Sequence, residues 1–167
     1  INLFKDSDFY NVVVKNTDAT GFGVDCPINV TIKNCKAINC GKAADGESGG
    51  ASGFGIGTGF SNEEYMVIKN SHAINNKKYG FFFEHQGIWG NEKYPATTAK
   101  GFVVSSSTSG GNKYNFGGNR ANNVTYENIS TVTGNFSNPT LKSNIKVNED
   151  SMGLNFENNS TFINVVN

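Results

Sequence analysis

Residues 65–85 read YMVIKNSHAINNKKYGFFFEH and contain two short apolar runs separated by a polar turn. The runs are residues 66–68 and 81–83, and the turn between them is rich in asparagine. Short apolar runs bounded by turn-forming residues are typical of β-strands. This stretch therefore predicts two strands joined by a turn.

The same unit recurs along most of the chain. Runs similar to the first strand occur at residues 12–14, 30–32, 102–104, 124–126 and 162–163. Runs similar to the second occur at 21–24, 53–56, 114–116 and 153–156. The apolar anchors of the first strand are spaced by 18, 36, 36, 22 and 36 residues, and they are Val14, Ile32, Ile68, Val104, Tyr126 and Phe162. Repeats interrupted by loop insertions predict an all-β, right-handed parallel β-helix of about five to six coils.

Asparagine stands two positions after five of these six anchors, at Asn16, Asn34, Asn70, Asn128 and Asn164. Stacked asparagine side chains can hydrogen-bond along the axis of a stack of strands. We therefore expect these asparagines to align at one corner. The alternative fold is a β-sandwich of ordinary hairpins, which predicts Asn-Gly turns between adjacent strands and leaves the recurring asparagines unexplained.

One continuous pattern over 167 residues predicts a single domain, residues 1–167, which is a fragment or module of a larger chain. The pattern starts abruptly near Asn11 without a capping helix. Because the open end of a β-helix exposes unpaired backbone groups, a preceding coil, a further domain or another chain is expected to cap it.

Charge and composition exclude some classes of partner. The 14 basic and 14 acidic residues cancel, and Arg120 is the only arginine, which argues against nucleic-acid binding. No apolar run is long enough for membrane insertion. A chain rich in Asn, Gly, Ser and Thr is typical of extracellular or cell-surface proteins that handle polysaccharides, so a polysaccharide is the expected partner.

The three cysteines, Cys26, Cys35 and Cys40, form no Cys-x-x-Cys pair and are too isolated for a zinc site. Cys35 follows a first strand, at a turn where a small stacked residue is normal. Reduced, structural cysteines are the main prediction. One disulfide and a nucleophilic cysteine are the alternatives.

The two-residue period of a strand sorts its side chains into inward and outward sets. The residues predicted to point inward are Val12, Val14, Val30, Ile32, Met66, Ile68, Phe102, Val104, Val124, Tyr126, Phe22, Val24, Phe54, Ile56, Phe81, Phe83, Leu154 and Phe156. Lys15, Lys33 and Lys69 are predicted to point outward, one above another. This stripe either binds an anionic polymer or is a solvated edge that discourages aggregation.

The second strands offer candidate sugar-binding residues on their outward face. Phe82 is predicted to be an exposed aromatic, and Trp89 lies in the following insertion, residues 86–100. Both rings can stack on a sugar, while carboxylates such as Asp25 take its hydroxyl groups. Lys77 and Lys78 are candidates to neutralise a substrate carboxylate.

A catalytic set is predicted at the same strand. Glu84 or His85 is the candidate base, and Tyr79 is the candidate proton donor. The alternative is that His85 caps the strand and Glu84 is only solvated, while His72 is expected to be structural.

The cofactor stays open, with calcium as the candidate. Its predicted ligands are Asp25, Asp45 and Glu47, which supply the oxygens that a hard cation prefers. No clustered acidic signature accompanies them, so no metal site is predicted.

The unit at residues 66–76, Ile/Val-x-Ile-Lys-Asn-x-x-Ala-x-x-Asn, resembles right-handed parallel β-helix proteins of the polysaccharide lyase and mannuronan epimerase superfamily. Residues 79–85 are similar to the Tyr-Gly-Phe-Asp-Pro-His motif of the epimerases, with Phe82 in place of the aspartate and the Glu84-His85 pair displaced by one residue. The resemblance implies removal of the C5 proton of a uronic acid, then elimination or reprotonation. The alternative is a non-catalytic carbohydrate-binding or cell-surface module.

Overall fold

The computed structural model describes residues 3–42, 51–86, 101–119, 124–132 and 161–163. In these ranges the chain forms β-strands, turns and bends, with no α-helix. The strands are β1 (Leu3–Tyr10), β2 (Val13–Lys15), β3 (Phe22–Lys33), β4 (Lys36–Ile38), β5 (Phe54–Thr58), β6 (Tyr65–Lys69), β7 (His72–Ile74), β8 (Tyr79–His85), β9 (Gly101–Ser105), β10 (Thr108–Gly110), β11 (Tyr114–Asn119), β12 (Val124–Glu127), β13 (Ser130–Val132) and β14 (Thr161–Ile163).

All pairings between these strands are parallel, in two sheets. The larger sheet has the order β11-β8-β5-β3-β6-β9-β12-β14, with β1 also on β3, and the smaller has the order β13-β10-β7-β4-β2. The long strand β3 joins two parts of the larger sheet, because its residues 22–25 pair with β5 and its residues 28–33 pair with β1 and β6. The chain is therefore all-β with parallel sheets, and the hairpin sandwich is wrong for the described strands, since hairpins pair antiparallel strands.

The predicted anchors are register partners along the larger sheet, with one exception. Ile32 pairs with Ile68, and the series continues through Val104, Tyr126 and Phe162. Val14 was expected to begin this series of register partners, and that prediction is wrong. Val14 lies in β2 of the smaller sheet, opposite Ala37. The partner of Ile32 on its other side is Phe9 of β1. The sequence did not predict strand β1, whose side chains are mostly exposed and show little apolar alternation; within the described ranges β1 pairs with β3 alone.

Asparagines occupy two corners rather than one. The first corner holds Asn11, Asn34, Asn70, Ser106 and Asn128, and the backbone N–H of each of the first four donates to a carbonyl of the next strand. The alignment of Asn34, Asn70 and Asn128 is thus confirmed, and Asn164 lies outside the described residues.

Asn16 belongs to the second corner, with Asn39, Asn75 and Gly111. All these non-glycine corner residues have φ between 47° and 60°. Asparagine tolerates this left-handed conformation better than other side chains do. The recurrence of asparagine therefore has a conformational cause. The expected hydrogen bond between stacked asparagine side chains is seen in the second corner, where Asn39 Nδ2 donates to Asn16 Oδ1 at 2.7 Å.

The core lies between the sheets and matches the predicted inward set in β3, β5, β6, β8, β9 and β12. Four phenylalanine rings stack through it, with centroids 4.8, 4.7 and 5.4 Å apart, namely Phe22, Phe54, Phe81 and Phe116. Val12 was placed inward wrongly, since it is 37% exposed, and Val14 only packs against the edge of the core. Leu154 and Phe156 lie outside the described residues.

Two polar ladders run along the inner corners, with a step of 36 residues. In the first, the backbone N–H of Cys35 donates to Ser71 Oγ at 3.2 Å, and that of Ser71 donates to Ser107 Oγ at 3.1 Å. In the second, the N–H of Cys40 donates to Asn76 Oδ1 at 3.0 Å, and that of Asn76 donates to Asn112 Oδ1 at 2.7 Å. Buried polar groups must be paired, and these side chains satisfy backbone donors at the corners.

The cysteines are structural, as predicted. Cys26, Cys35 and Cys40 are all free and buried. The Cys35 thiol donates to the carbonyls of Phe9 and Lys33, at 3.4 and 3.3 Å. It therefore fills the position that Ser71 occupies in the next repeat.

Candidate functional site

The candidate site lies on the outer face of β3, β5, β8 and β11. Along this face, Gly23, Gly55, Phe82 and Gly117 are register partners, so Phe82 has a glycine on each neighbouring strand. Phe82 was predicted to be exposed, and this is wrong because it is only 5% exposed. Its ring stacks on Tyr79 with centroids 4.3 Å apart.

Tyr79 is part of an aromatic cluster at the amino ends of β8 and β11. Its ring is 6% exposed and stacks on Tyr114 at 5.3 Å. The Nζ of Lys78 lies over the Tyr79 ring and that of Lys113 lies over the Tyr114 ring, each 5.2 Å from the centroid. Cations at this distance from an aromatic face are attracted by the ring quadrupole. We call Lys78, Tyr79, Lys113 and Tyr114 the lysine–tyrosine cluster.

The sequence analysis missed Lys113 and Tyr114, although a signal was present. The dipeptide Lys-Tyr precedes both Gly80-Phe81 and Asn115-Phe116, at the same point of two successive repeats. Its recurrence marks a position that both repeats place on the same edge.

A second, acidic cluster lies toward the carboxyl ends of the same strands. Asp25, Gly57, Glu84 and Asn119 are register partners. A side chain at Gly57 would clash with the Asp25 carboxylate and would lie 2.8 Å from the Gln86 amide, so these two groups lie directly over that glycine. Gln86 Nε2 also donates to Glu84 Oε2 at 3.5 Å. We call Asp25, Glu84 and Gln86 the Gly57 cluster.

The predicted proton donor and one of the two candidate bases lie on the same strand. Tyr79 and Glu84 belong to the same extended strand, five residues apart, which corresponds to about 16 Å at 3.3 Å per residue. A general acid and a general base must each reach the reacting centre within hydrogen-bond distance. The Tyr79 ring stacks on that of Phe82, two residues before Glu84, so the backbone spacing does not set the distance between the Tyr79 hydroxyl and the Glu84 carboxylate.

Of the other predicted site residues, some lie in the described part of the structure and some lie outside it. Lys77 is exposed and its Nζ donates to the Lys42 carbonyl at 3.3 Å, so it lies at the turn before β8. The backbone of His85 pairs with Thr58, but its side chain and all of Trp89 lie outside the described part of the structure. The calcium candidates Asp45 and Glu47 lie outside it as well.

The lysine stripe is shorter than predicted. Lys33 and Lys69 are register partners in the larger sheet, followed by Ser105 and Glu127. The prediction that Lys15 belongs to this stripe is wrong, because Lys15 pairs with Ile38 in the smaller sheet.

A buried carboxylate that the sequence did not mark lies between β5 and β6. Glu64 has no solvent exposure, and it accepts hydrogen bonds from the N–H groups of Gly59 and Phe60, both at 2.9 Å. Burial raises the pKa of Glu64, although these backbone N–H groups and the Cys26 thiol lower it in part. In sequence, Glu64 follows Asn62 and Glu63 and looks like an ordinary surface charge.

Glu64 also bears on the reactivity of Cys26. Burial, and then the negative charge of Glu64, raise the pKa of the Cys26 thiol to about 11. A thiol with so high a pKa is protonated at neutral pH and is a poor nucleophile. The nucleophile alternative is therefore disfavoured for Cys26.

His72 faces the outer side of β7, half-buried beside Lys36 of β4. Burial, and then the charge of Lys36, lower the pKa of the His72 imidazole. It is therefore neutral at physiological pH. It lies in the smaller sheet, whereas the candidate site is on the larger sheet.

No protein-family model, curated protein or solved structure matches this chain. Among the described residues, no helix is long and apolar enough to cross a membrane. Within the same ranges, no group of three or more His, Cys, Asp or Glu side chains is placed to hold a metal ion.

Proposed function

We propose that this chain is an extracellular or cell-surface right-handed parallel β-helix domain that binds an acidic, uronic acid-containing polysaccharide. The β-helix assignment is supported by the all-parallel pairing, by the 36-residue step of the inner ladders and by the left-handed corner residues. Successive stacked repeats generate long surfaces, which such architectures use to bind extended ligands.

The observation that carries the proposal is the pairing of two polar clusters on one rigid face. The lysine–tyrosine cluster supplies ammonium groups and the half-buried ring of Tyr114, and the Gly57 cluster supplies two carboxylates and an amide. Sugars are bound by ring stacking together with hydrogen bonds from carboxylates and amides to their hydroxyl groups. A ligand that carries both hydroxyl and carboxylate groups complements both clusters.

Binding without catalysis is the form of this function that the described residues favour. The Tyr79 ring is 6% exposed and is stacked on both Phe82 and Tyr114. A general acid must reach the reacting centre of its substrate, and a phenol held in this way offers little surface to a ligand.

A lyase or epimerase is the second candidate, and the Gly57 cluster is the observation that favours it. Two carboxylates and an amide converge there, beside the backbone of His85. Glu84 or Asp25 would then act as the base, and calcium bound with the substrate would neutralise the uronate carboxylate. This candidate follows the resemblance to the polysaccharide lyase and epimerase superfamily.

The test is a glycan array of acidic and neutral polysaccharides, with and without calcium, followed by titration of the best ligand. Glu84→Gln and Asp25→Asn should each weaken binding by about tenfold or more, since hydrogen bonds to charged groups contribute about 1.5–3 kcal/mol. Glu127→Gln, on another part of the larger sheet, is the matched control and should bind like the wild type.

Formation of unsaturated uronides separates the two candidates. An enzyme would release them, and Glu84→Gln would lose turnover while it kept affinity. A binding module would release none and would lose affinity alone. Absence of binding to every acidic polysaccharide, with and without calcium, would contradict the proposed function.

A further inference from the structure

The turn between β5 and β6 presents an aromatic residue beside the Gly57 cluster. Phe60 stands two residues after the end of β5 and three residues after Gly57, and it is half-buried. In the described part of the chain, its ring belongs neither to the core cluster nor to any of the ring contacts between aromatic side chains. Packing of the described core therefore does not explain an aromatic residue at this position.

The other aromatic rings of the outer face are already stacked on one another. The Phe82 ring stacks on Tyr79, and the Tyr79 ring stacks on Tyr114. Aromatic side chains line ligand sites by offering an open ring face, and a ring that packs on a neighbour has less of that face to offer. Phe60 is therefore better placed to receive a ligand than these three residues are.

A buried carboxylate fixes the backbone of this turn. Glu64 Oε2 accepts the Gly59 N–H and Glu64 Oε1 accepts the Phe60 N–H, each at 2.9 Å. Glu64 has no solvent exposure. Burying a carboxylate is costly, and the hydrogen bonds from the turn offset that cost. The turn is therefore held at the residue that bears the aromatic ring.

The same carboxylate connects the turn to the corner next to Asp25. Cys26 directly follows Asp25 and lies beside Glu64, close enough for each of these two side chains to change the pKa of the other. Because Glu64 also accepts the Phe60 N–H, one residue step and two side-chain contacts connect Asp25 to Phe60. Phe60 and Asp25 are therefore neighbours in the fold, at the carboxyl ends of β3 and β5.

We propose that Phe60 is the stacking residue of the glycan site: a sugar ring packs against Phe60 while sugar hydroxyl groups meet the Gly57 cluster. Glu64 does not touch the ligand and is a positioning residue, because it fixes the turn that bears Phe60. This inference rests on the proposed function. It assigns the aromatic contact to the turn after β5 instead of to Phe82, whose ring is buried.

The experiment is isothermal titration calorimetry with the oligouronate that binds best in the glycan array. Phe60→Leu should weaken binding by about tenfold, since it removes the stacking surface. The factor should be the same at low and high salt, because stacking involves no charge on the protein. Phe60→Tyr keeps the ring and should bind like the wild type. Tyr65→Leu, at an exposed aromatic residue of β6, is the matched control and should not change the affinity.

The melting temperature of Phe60→Leu should stay within about 2 °C of the wild type, because the ring lies outside the described core. A double-mutant cycle tests the positioning role. Glu64→Gln should weaken binding when Phe60 is present and should have no further effect in the Phe60→Leu variant, since it acts through that ring. Glu64→Asp is the second variant if the glutamine does not fold, and Glu63→Gln, exposed in the same turn, is the control.

The outcomes that contradict the inference are distinct from those that contradict the proposed function. If Phe60→Leu binds like the wild type while Asp25→Asn binds weakly, the stacking role is wrong and the proposed function stands. If Tyr65→Leu weakens binding as much as Phe60→Leu does, the turn after β5 has no special role. Equal losses from the Glu64 change in both backgrounds would refute its positioning role. If the wild type binds no acidic glycan, the proposed function fails, and this inference fails with it.

Discussion

Phe81 and Phe82 are adjacent residues with different surroundings, because alternate residues of a strand face opposite sides of the sheet. The ring of Phe81 lies in the core between those of Phe54 and Phe116, with centroids 4.7 and 5.4 Å away. Phe82 lies on the outer face against Tyr79. The alternation was readable from sequence, whereas the burial of the outer ring was not.

Phe81→Ala is expected to lower the free energy of unfolding by about 3–5 kcal/mol, because it opens a cavity within a continuous ring stack. Phe82→Ala should cost less, since no core cavity forms, but it should not be neutral, because its ring is 5% exposed. Urea unfolding of the two variants measures both values. Equal losses would show that the two faces of β8 are packed alike.

Glu64 should make stability depend on pH. Burial raises the folded pKa of Glu64 above its usual value of 4.5, so the folded state disfavours the ionised form. The sign follows from linkage: between pH 4.5 and the raised pKa the folded state binds more protons than the unfolded state, so stability rises as the pH falls through this window.

The measurement is the difference in unfolding free energy between the wild type and Glu64→Gln across that window. The wild type should gain stability relative to the variant as the pH falls from neutral toward 4.5. Glu63→Gln, in the same turn and exposed, is the control. A difference that stays constant with pH would show that Glu64 is not the responsible group.

At the scale of the element, glycine marks the entry to the second strands for a steric reason. A side chain at Gly53 would lie 2.6 Å from Asn76 Nδ2, and one at Gly80 would lie 2.6 Å from the Asn115 carbonyl and would clash with Ser109 Oγ. The backbone at these glycines is in close contact with the inner-corner ladder that contains Asn76 and Asn112. The ladder and the glycines therefore belong to one packing arrangement, although only the ladder residues keep a constant step of 36 residues.

Gly80→Ala is expected to destabilise the fold by about 1–3 kcal/mol, the usual cost of overpacking, because the backbone carbonyl of Asn115 cannot move aside cheaply. Gly23→Ala is the matched control, since its new methyl group would meet nothing closer than Thr20 Cγ2 at 3.9 Å. Thermal unfolding measures both. A neutral Gly80→Ala would mean that the corner relaxes more freely than its contacts suggest.

Across the whole molecule, each strand interacts mainly with the strands next to it in its sheet, so stability should be graded along the stack. Strands β2 and β4 are each three residues long, so their protection can be compared directly. Among the described strands, β2 pairs with β4 alone, whereas β4 pairs with both β2 and β7. Val13 of β2 is 53% exposed, and Ala37 of β4 is fully buried.

Hydrogen exchange followed by mass spectrometry should therefore show faster exchange in β2 than in β4, because hydrogen bonds on one side only protect a strand less. The central strands β3, β5 and β6 should exchange most slowly. Uniform protection across these strands would indicate that the molecule opens as a single cooperative unit.

The sequence by itself determined the all-β class, the register of the anchors from Ile32 to Tyr126 and the inward residues of the central strands. These features follow from periodicity, and periodicity is a local property of the chain. Only the tertiary structure decided that Val14 and Asn16 belong to the smaller sheet and its corner, because an apolar run predicts a strand but not the neighbour with which that strand pairs.

The candidate site depended still more on tertiary structure. Phe82 is buried because it stacks on Tyr79, which turns back onto the outer face of its own strand. Asp25 and Gln86 meet over Gly57 because β3, β5 and β8 are neighbours, although the three residues are far apart in the chain. Contacts between distant residues depend on register and on the side chains of adjacent strands, and a periodic pattern read along one strand contains neither.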